Sequence, residues 1–198
     1  GLAEWRDGDT VYLSVAFTYK LDEAYSRAIF ARSQGFKVIA GGPALYLKTM
    51  KHRIDDVAEV RNDYPDAVIH HNPQATIASR GCPVGCWFCI VPKMEGRTFT
   101  LLPDFPVRPI LCDNNLSALP AKYQDHIIRR YKQEGVPLLD ANSGFEPRTF
   151  TEEVYRRWKP ILRGPWRFAY DDMQETAEVA AVTTMLKDEP QKRKRVYV

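Results

Sequence analysis

Ala75-Thr76-Ile77-Ala78-Ser79 reads as a short strand, and Arg80-Gly81-Cys82-Pro83-Val84-Gly85-Cys86-Trp87-Phe88-Cys89 follows it directly as a loop bent by Gly and Pro. Three of the four cysteines of the chain fall in this loop, with the spacing C-x3-C-x2-C and an aromatic residue before the last. Thiolates placed this closely can each meet a different iron corner of a cubane cluster. Three protein ligands leave one iron of a [4Fe–4S] cluster open to a substrate or cofactor. A structural zinc is the main alternative. It needs four ligands, usually in two separated pairs, and here the fourth would have to come from Cys112, His70 or His71. Three ordinary buried thiols are a further alternative, but so tight a trio speaks against chance. The residue types and spacing favour the cluster.

The loop opens the second of two alternations between strand-like and helix-like segments. In the first, Thr10–Phe17 alternates as a strand, Leu21–Ser33 has helical apolar spacing closed by Gly35, and Phe36–Ala40 is a short apolar strand before Gly41-Gly42-Pro43. This is a βαβ unit over residues 1–62, with a helix expected from Ala44 to Val60. Residues 63–74, with Pro65, Pro73 and the pair His70-His71, read as a linker. After the cysteine loop, strands are expected at Pro109–Asp113, Val136–Asp140, Trp166–Tyr170 and from Arg195, with helices at Ala121–Gln133, Thr151–Leu162 and Gln174–Leu186. Arg97–Arg108 contains Pro103 and Pro106 and is expected to be irregular. Strands alternating with helices over residues 75–198 predict an α/β fold, with a parallel sheet curved into part of a (β/α) barrel. The cysteine loop then lies at the carboxyl end of the first strand, where such folds hold their sites.

Parallel strands would gather the residues following each of them on the same face as the loop. These are Asp113, Asn114 and Asn115 after the second strand, then Asn142, Ser143, Gly144 and Glu146, then Tyr170, Asp171 and Asp172. Each of these residues alone reads equally well as a turn or cap; as a convergent polar set they suit a polar cofactor. Lys93, Glu95 and Arg97 read as substrate contacts or, more simply, as a solvated stretch after the loop, Trp87 as a shield between cysteines, His126 as a surface or cap residue, and Cys112 as a small buried strand residue.

Cys82-x3-Cys86-x2-Cys89 with an aromatic before the last cysteine resembles the signature of the radical S-adenosylmethionine (SAM) superfamily, over roughly Ala75 to the C-terminus. The resemblance implies a radical SAM-type barrel and a [4Fe–4S] cluster on Cys82, Cys86 and Cys89, with SAM chelating the open iron. It also implies one-electron cleavage of SAM to methionine and a 5′-deoxyadenosyl radical that acts on a substrate the sequence does not name. An electron donor such as flavodoxin or ferredoxin would supply the electron. The family usually carries a Gly-Gly-Glu-like segment after the second strand for the SAM amine. Asp113-Asn114-Asn115 stands there instead, and the role would pass to Asp113 or Asn114. By the same resemblance Asp171 would hold the ribose. Arg148, just beyond Gly144-Phe145-Glu146-Pro147, reads equally as a partner of the SAM carboxylate or as a surface salt bridge, and Ser143 and Glu146 are candidates for the cofactor as members of the convergent set.

Thr10–Leu47 with its Gly-Gly-Pro turn resembles, weakly, the last βαβ of the cobalamin-binding domain that precedes the core in one subgroup. The Asp-x-His-x-x-Gly motif for the lower ligand is absent, so cobalamin is not expected. The three-cysteine N-terminal domain of methylthiotransferases is also absent, and their tRNA chemistry is not implied. The chain opens on Gly1 and its last residues read as a strand beginning, so a fragment of a longer protein is expected, its core cut in the fifth strand. The family's usual adenine contacts would then lie beyond Val198, and this chain alone would bind SAM weakly.

The net charge of +3 is weak for a dedicated nucleic-acid binder, and Lys192-Arg193-Lys194-Arg195 reads as a solvated turn. No apolar run approaches the roughly 20 residues of a bilayer crossing, so no membrane partner is expected. Closely spaced cysteines in a chain able to build its own core point to a reducing compartment, the cytoplasm.

Overall fold

The alternation that begins at Thr10 forms a strand, but its first partner is one the sequence did not suggest. The computed structural model describes residues 1–46, 53–61 and 67–198, which fall into two compact units, Gly1–Pro73 and Gln74–Val198. In the first unit β1 (Leu2–Asp7) turns back on β2 (Thr10–Val15) as an antiparallel hairpin with Leu2 opposite Val15 and Asp7 opposite Thr10. The two-residue turn needs a positive φ, which Gly8 supplies at +54°. Helix α1 (Leu21–Ser33) follows, and β3 (Lys37–Gly41) lies parallel to β2. Next come the short helix α2 (Pro43–Tyr46), a 3-10 turn at Arg53–Asp56, β4 (Glu59–Val60) parallel to β3, and α3 (Ala67–His71). The sheet order is β1-β2-β3-β4.

Every residue of β2 from Val11 to Val15 is buried, because both faces of the strand are covered. Val11, Leu13 and Val15 pack with Leu21, Ala24, Ala28 and Ala31, a stripe at helical spacing on α1. On the other face Tyr12 stacks on Trp5 and Trp5 on His70, while His71 is hydrogen-bonded to Ser14 at 3.0 Å. Burial lowers the pKa of the His71 imidazole. The expected helix Ala44–Val60 is thus helical only over Pro43–Tyr46; its last part is the 3-10 turn and β4, and residues 47–52 lie outside the described ones. Within the stretch read as a linker, residues 67–71 are helical and hold both histidines against this sheet; residues 63–66 are not described.

The second unit is mixed α/β with parallel strands. It opens with β5 (Ala75–Thr76) and β6 (Ser79–Arg80), then α4 (Val91–Met94), β7 (Thr100–Leu101) and β8 (Ile110–Leu111). Helix α5 (Ala121–Glu134) leads to β9 (Asp140–Ala141), α6 (Glu152–Trp158) to β10 (Trp166–Ala169), and α7 (Thr176–Met185) to β11 (Lys194–Tyr197). β8 pairs in parallel with both β5 and β9, and β10 pairs in parallel with β11. Isolated parallel bridges, Leu138 to Leu162 and Phe145 to Phe168, continue the order between the two sheets. The sheets are open, and among the described residues the strands do not close into a barrel. The ladder starts later in β9 than expected because Pro137 has no N–H to donate. Between Arg97 and Arg108 the chain does form one short strand, β7, antiparallel to β6.

The helices bury clear stripes: Tyr123, Gln124, Ile127, Ile128 and Tyr131 on α5, and Val154, Tyr155 and Trp158 on α6. Gly135 ends α5 in the left-handed conformation, φ +66°, and the Thr151 hydroxyl caps α6 by accepting from the Val154 N–H. Phe145, Phe150, Trp158, Trp166 and Phe168 form an edge-on aromatic cluster, Phe150 and Phe168 being 4.9 Å apart between centroids. Trp158 is wholly buried, and its Nε1–H donates to Gln124 Oε1 at 2.8 Å. No helix among the described residues is long and apolar enough to cross a membrane.

Trp158→Ala should cost about 3–5 kcal/mol, since it opens a cavity in the aromatic cluster and leaves the Gln124 Oε1 without its donor. Trp87→Ala, at a position 88% exposed, should stay within about 0.5 kcal/mol of wild type. Urea unfolding of the two variants checks both; equal losses would contradict this account of the core.

Candidate functional site

Antiparallel pairing of β6 with β7 makes the cysteine segment a closed excursion between Arg80 and Thr100. Its neck turns at Gly81, whose φ of +85° and close approach to the Thr98 carbonyl leave no room for a Cβ. Glu95 closes the neck. Its carboxylate accepts from Arg80 Nη1 at 3.0 Å, from the Gly81 N–H at 2.9 Å and from Asn114 Nδ2 at 2.6 Å. Asn114 follows β8, so the clasp also fastens the loop to the second parallel strand. The Cys82 N–H adds a bond to the Gly96 carbonyl, 3.3 Å. Glu95, read from the sequence as a solvated residue, is therefore a structural clasp, while Lys93 and Arg97 are exposed.

All four cysteines are free thiols and half-buried. A distinct N–H donor reaches each sulfur of the trio. Asn115 Nδ2 is 3.7 Å from Cys82 Sγ, Arg148 Nη2 is 3.4 Å from Cys86 Sγ, and the Val91 backbone N–H bonds Cys89. Burial pushes the Cys89 thiol pKa up, and the neighbouring Cys86 and Cys82 thiols and Glu95 add to the shift. Among the described residues no group of three or more His, Cys, Asp or Glu side chains is placed to hold a metal ion. The donor set is three thiols with N–H groups directed at their sulfurs, which is the chemistry of an iron–sulfur ligand shell. Cys112 stands apart as a half-buried residue just after β8; burial raises its thiol pKa to about 11. Trp87 does not shield the trio: it is 88% exposed, edge-on to the exposed Phe88.

Ladder bonds hold the strand ends in step. The Cys112 N–H donates to the Thr76 carbonyl at 2.8 Å, and the Asn142 N–H to the Leu111 carbonyl at 2.9 Å. The expected site residues divide sharply on this frame. Asp113 faces inward, 1% exposed, with its oxygens taken by the Ala78 N–H and the Ser79 hydroxyl, so it is a structural pin and not a group open to a cofactor. Asn114 serves the clasp. Glu146 and Arg148 pair with each other, Nε to Oε1 at 2.6 Å, and Arg148 also meets Glu175 Oε1 at 3.3 Å. Ser143 lies exposed in the turn before Gly144, and Asp171 lies exposed after β10, its backbone N–H donating to Glu175 Oε2.

Three contributors were not singled out from the sequence. Asn115 was seen only as one of several strand-end residues. Ser117 donates to Asn115 Oδ1 at 3.1 Å and accepts from the Glu146 N–H at 2.9 Å and the Thr149 hydroxyl at 2.8 Å, tying two strand ends together. Glu175, 9% exposed, looks in sequence like any acidic residue in a first helical turn.

Burial raises the Asp113 carboxyl from 3.8 to about 6, against the Ser79 and Ala78 hydrogen bonds that oppose the shift. The folded protein then holds a proton that the unfolded chain releases between these values. Stability is greatest below the lower value and falls as pH rises through the upper one, by on the order of 2 kcal/mol. The wild-type-minus-Asp113→Asn difference in urea unfolding free energy should change by that amount between pH 4 and 7. A flat difference would contradict the burial argument.

No protein-family model matches the chain, and no curated protein does. Its function must be read from the cysteine loop and the strand ends around it.

Proposed function

We propose that this chain is the core of a radical SAM enzyme, with Cys82, Cys86 and Cys89 as the ligands of a [4Fe–4S] cluster and a partial barrel built from β5, β8, β9, β10 and β11. One observation carries the proposal. Three half-buried thiols with the C-x3-C-x2-C spacing hang from β6, which directly follows the first parallel strand β5, and side chains from beyond the next two parallel strands, β8 and β9, reach two of their sulfurs. When bound, the cluster supplies the electron that cleaves SAM to methionine and a 5′-deoxyadenosyl radical, which acts on a substrate of unidentified class.

The residues of this chain do the holding. Glu95, Gly81 and Asn114 keep the neck of the loop shut, so the thiols stay at one strand end. Asn115 and Arg148 orient Cys82 and Cys86, and the Val91 N–H orients Cys89. Ser143 and Asp171, both exposed at strand ends, are the side chains open to a polar cofactor such as SAM, while Glu146 and Arg148 are paired with each other. A small electron donor of the flavodoxin or ferredoxin type, and a cytoplasmic setting that keeps the thiols reduced, complete the proposal.

Anaerobic reconstitution with ferrous iron and sulfide should give a brown protein with iron and sulfide in equal amounts. Its reduced EPR signal should change on addition of excess SAM. Replacing Cys82, Cys86 or Cys89 by Ala should reduce bound iron to background, while Cys112→Ala should leave it unchanged. Zinc without iron would overturn the cluster; a cluster whose EPR ignores SAM would overturn the enzyme and leave an electron-transfer module.

A further inference from the structure

We propose that Arg148 is a positioning residue that raises the reduction potential of a cluster on the three cysteines, and that Glu175 opposes it. The inference rests on the cluster half of the proposed function and holds whether or not SAM binds. Each sulfur of the trio has its own N–H donor: the Asn115 amide for Cys82, the Arg148 guanidinium for Cys86 and the Val91 backbone for Cys89. Only the Cys86 donor carries a charge. Hydrogen bonds to the sulfurs and local net charge are two of the main controls on the potential of such clusters. A hydrogen bond to a sulfur and a positive charge beside it both favour the reduced state, in which the sulfurs carry more negative charge, and a carboxylate opposes it.

Arg148 is not a loose surface cation. Its Nε and Nη2 hold the two oxygens of Glu146 at 2.6 and 3.1 Å, and Nη2 meets Glu175 at 3.3 Å. A planar fork gripped on two sides has a fixed plane, and the sulfur contact follows from that plane. Glu146 is anchored in turn by Ser117, whose hydroxyl accepts from the Glu146 N–H while donating to Asn115 Oδ1. The donors to Cys82 and Cys86 are thus set by one hub. Glu175 is held from the next strand end, where the Asp171 N–H donates to it. Two carboxylates against one guanidinium leave the local sum negative. Removing the cation and removing a carboxylate must therefore move the potential in opposite directions. Loss of packing alone would give no such pair of signs.

The test is an EPR-monitored redox titration of the anaerobically reconstituted full chain, with iron content measured on the same samples. At a fixed potential near the wild-type midpoint, Arg148→Met should lower the ratio of reduced to oxidised cluster about tenfold, or ~59 mV for a one-electron couple. Glu175→Gln should raise the ratio severalfold, and Asn115→Leu should lower it. Variants that load iron as wild type does but titrate at the wild-type potential, or all shift the same way, overturn the inference and leave the proposed function standing. If Arg148→Met fails to fold or load, Glu175→Gln still decides: a ratio unchanged or lowered overturns it. A wild-type chain that takes up no cluster overturns the proposed function itself, and the inference with it.

Discussion

The Glu95 carboxylate is the contact on which the cysteine loop depends. It accepts from a guanidinium, a backbone N–H and a side-chain amide, and these three donors come from β6, from the loop neck and from the end of β8. Charge-assisted hydrogen bonds of this kind are about twice as strong as neutral ones, and removing the acceptor would strand the Gly81 N–H at a cost of about 1–3 kcal/mol. The ion pair with Arg80 adds less, since Arg80 is 41% exposed and solvent screens it. What the clasp secures is geometry. It closes a long excursion at its base, where Gly81 has to adopt a positive φ against the Thr98 carbonyl.

Asp113, Asn114 and Asn115, beyond Cys112 at the end of β8, take three different partners, and the outer two are buried while Asn114 is half-buried. Asp113 turns inward to bind the Ala78–Ser79 backbone and hydroxyl, Asn114 joins the clasp, and Asn115 reaches Cys82. Burial of Asp113 is destabilising for its charge, yet it fixes the turn between β5 and β6 from which the loop departs. A wholly apolar residue there would leave the Ala78 N–H without this acceptor. The site is therefore held by a buried carboxyl and by a network of half-buried and buried side chains, Glu95, Asn114 and Asn115.

How much of this was legible in the sequence follows from the range of the interactions. Local signals were reliable: the stripes of α1 and α5, the Thr151 cap and Gly135 are all written within a few residues. Contacts between distant segments were not. β1 is made a strand by its pairing to β2, and its own residues Leu2–Asp7 carry too many charges to advertise one. Glu95 and Glu175 look like solvated acids until Arg80, Asn114 and Arg148 are brought to them. Asp113 was a candidate for the cofactor because it stands where the resembled family carries a Gly-Gly-Glu-like segment; that its carboxylate is taken up inside depends on Ser79, 34 positions away in the chain.

These contacts also bear on what the loop owes to a metal. In small metal-dependent domains the ligands are the core, and the fold disappears with the ion. Here the second unit has its own core in the aromatic cluster around Trp158 and Trp166, and the loop is fastened by Glu95, Asn114 and the β6–β7 pairing, none of which uses a thiol. The cysteines are thus left free of structural duty. A cluster binding there meets a loop whose ends and sulfur donors are already placed, so little of its binding energy is spent on ordering the chain. The proposed cluster would need such preorganisation, since the protein contacts that define the loop do not depend on the oxidation state of what it would carry.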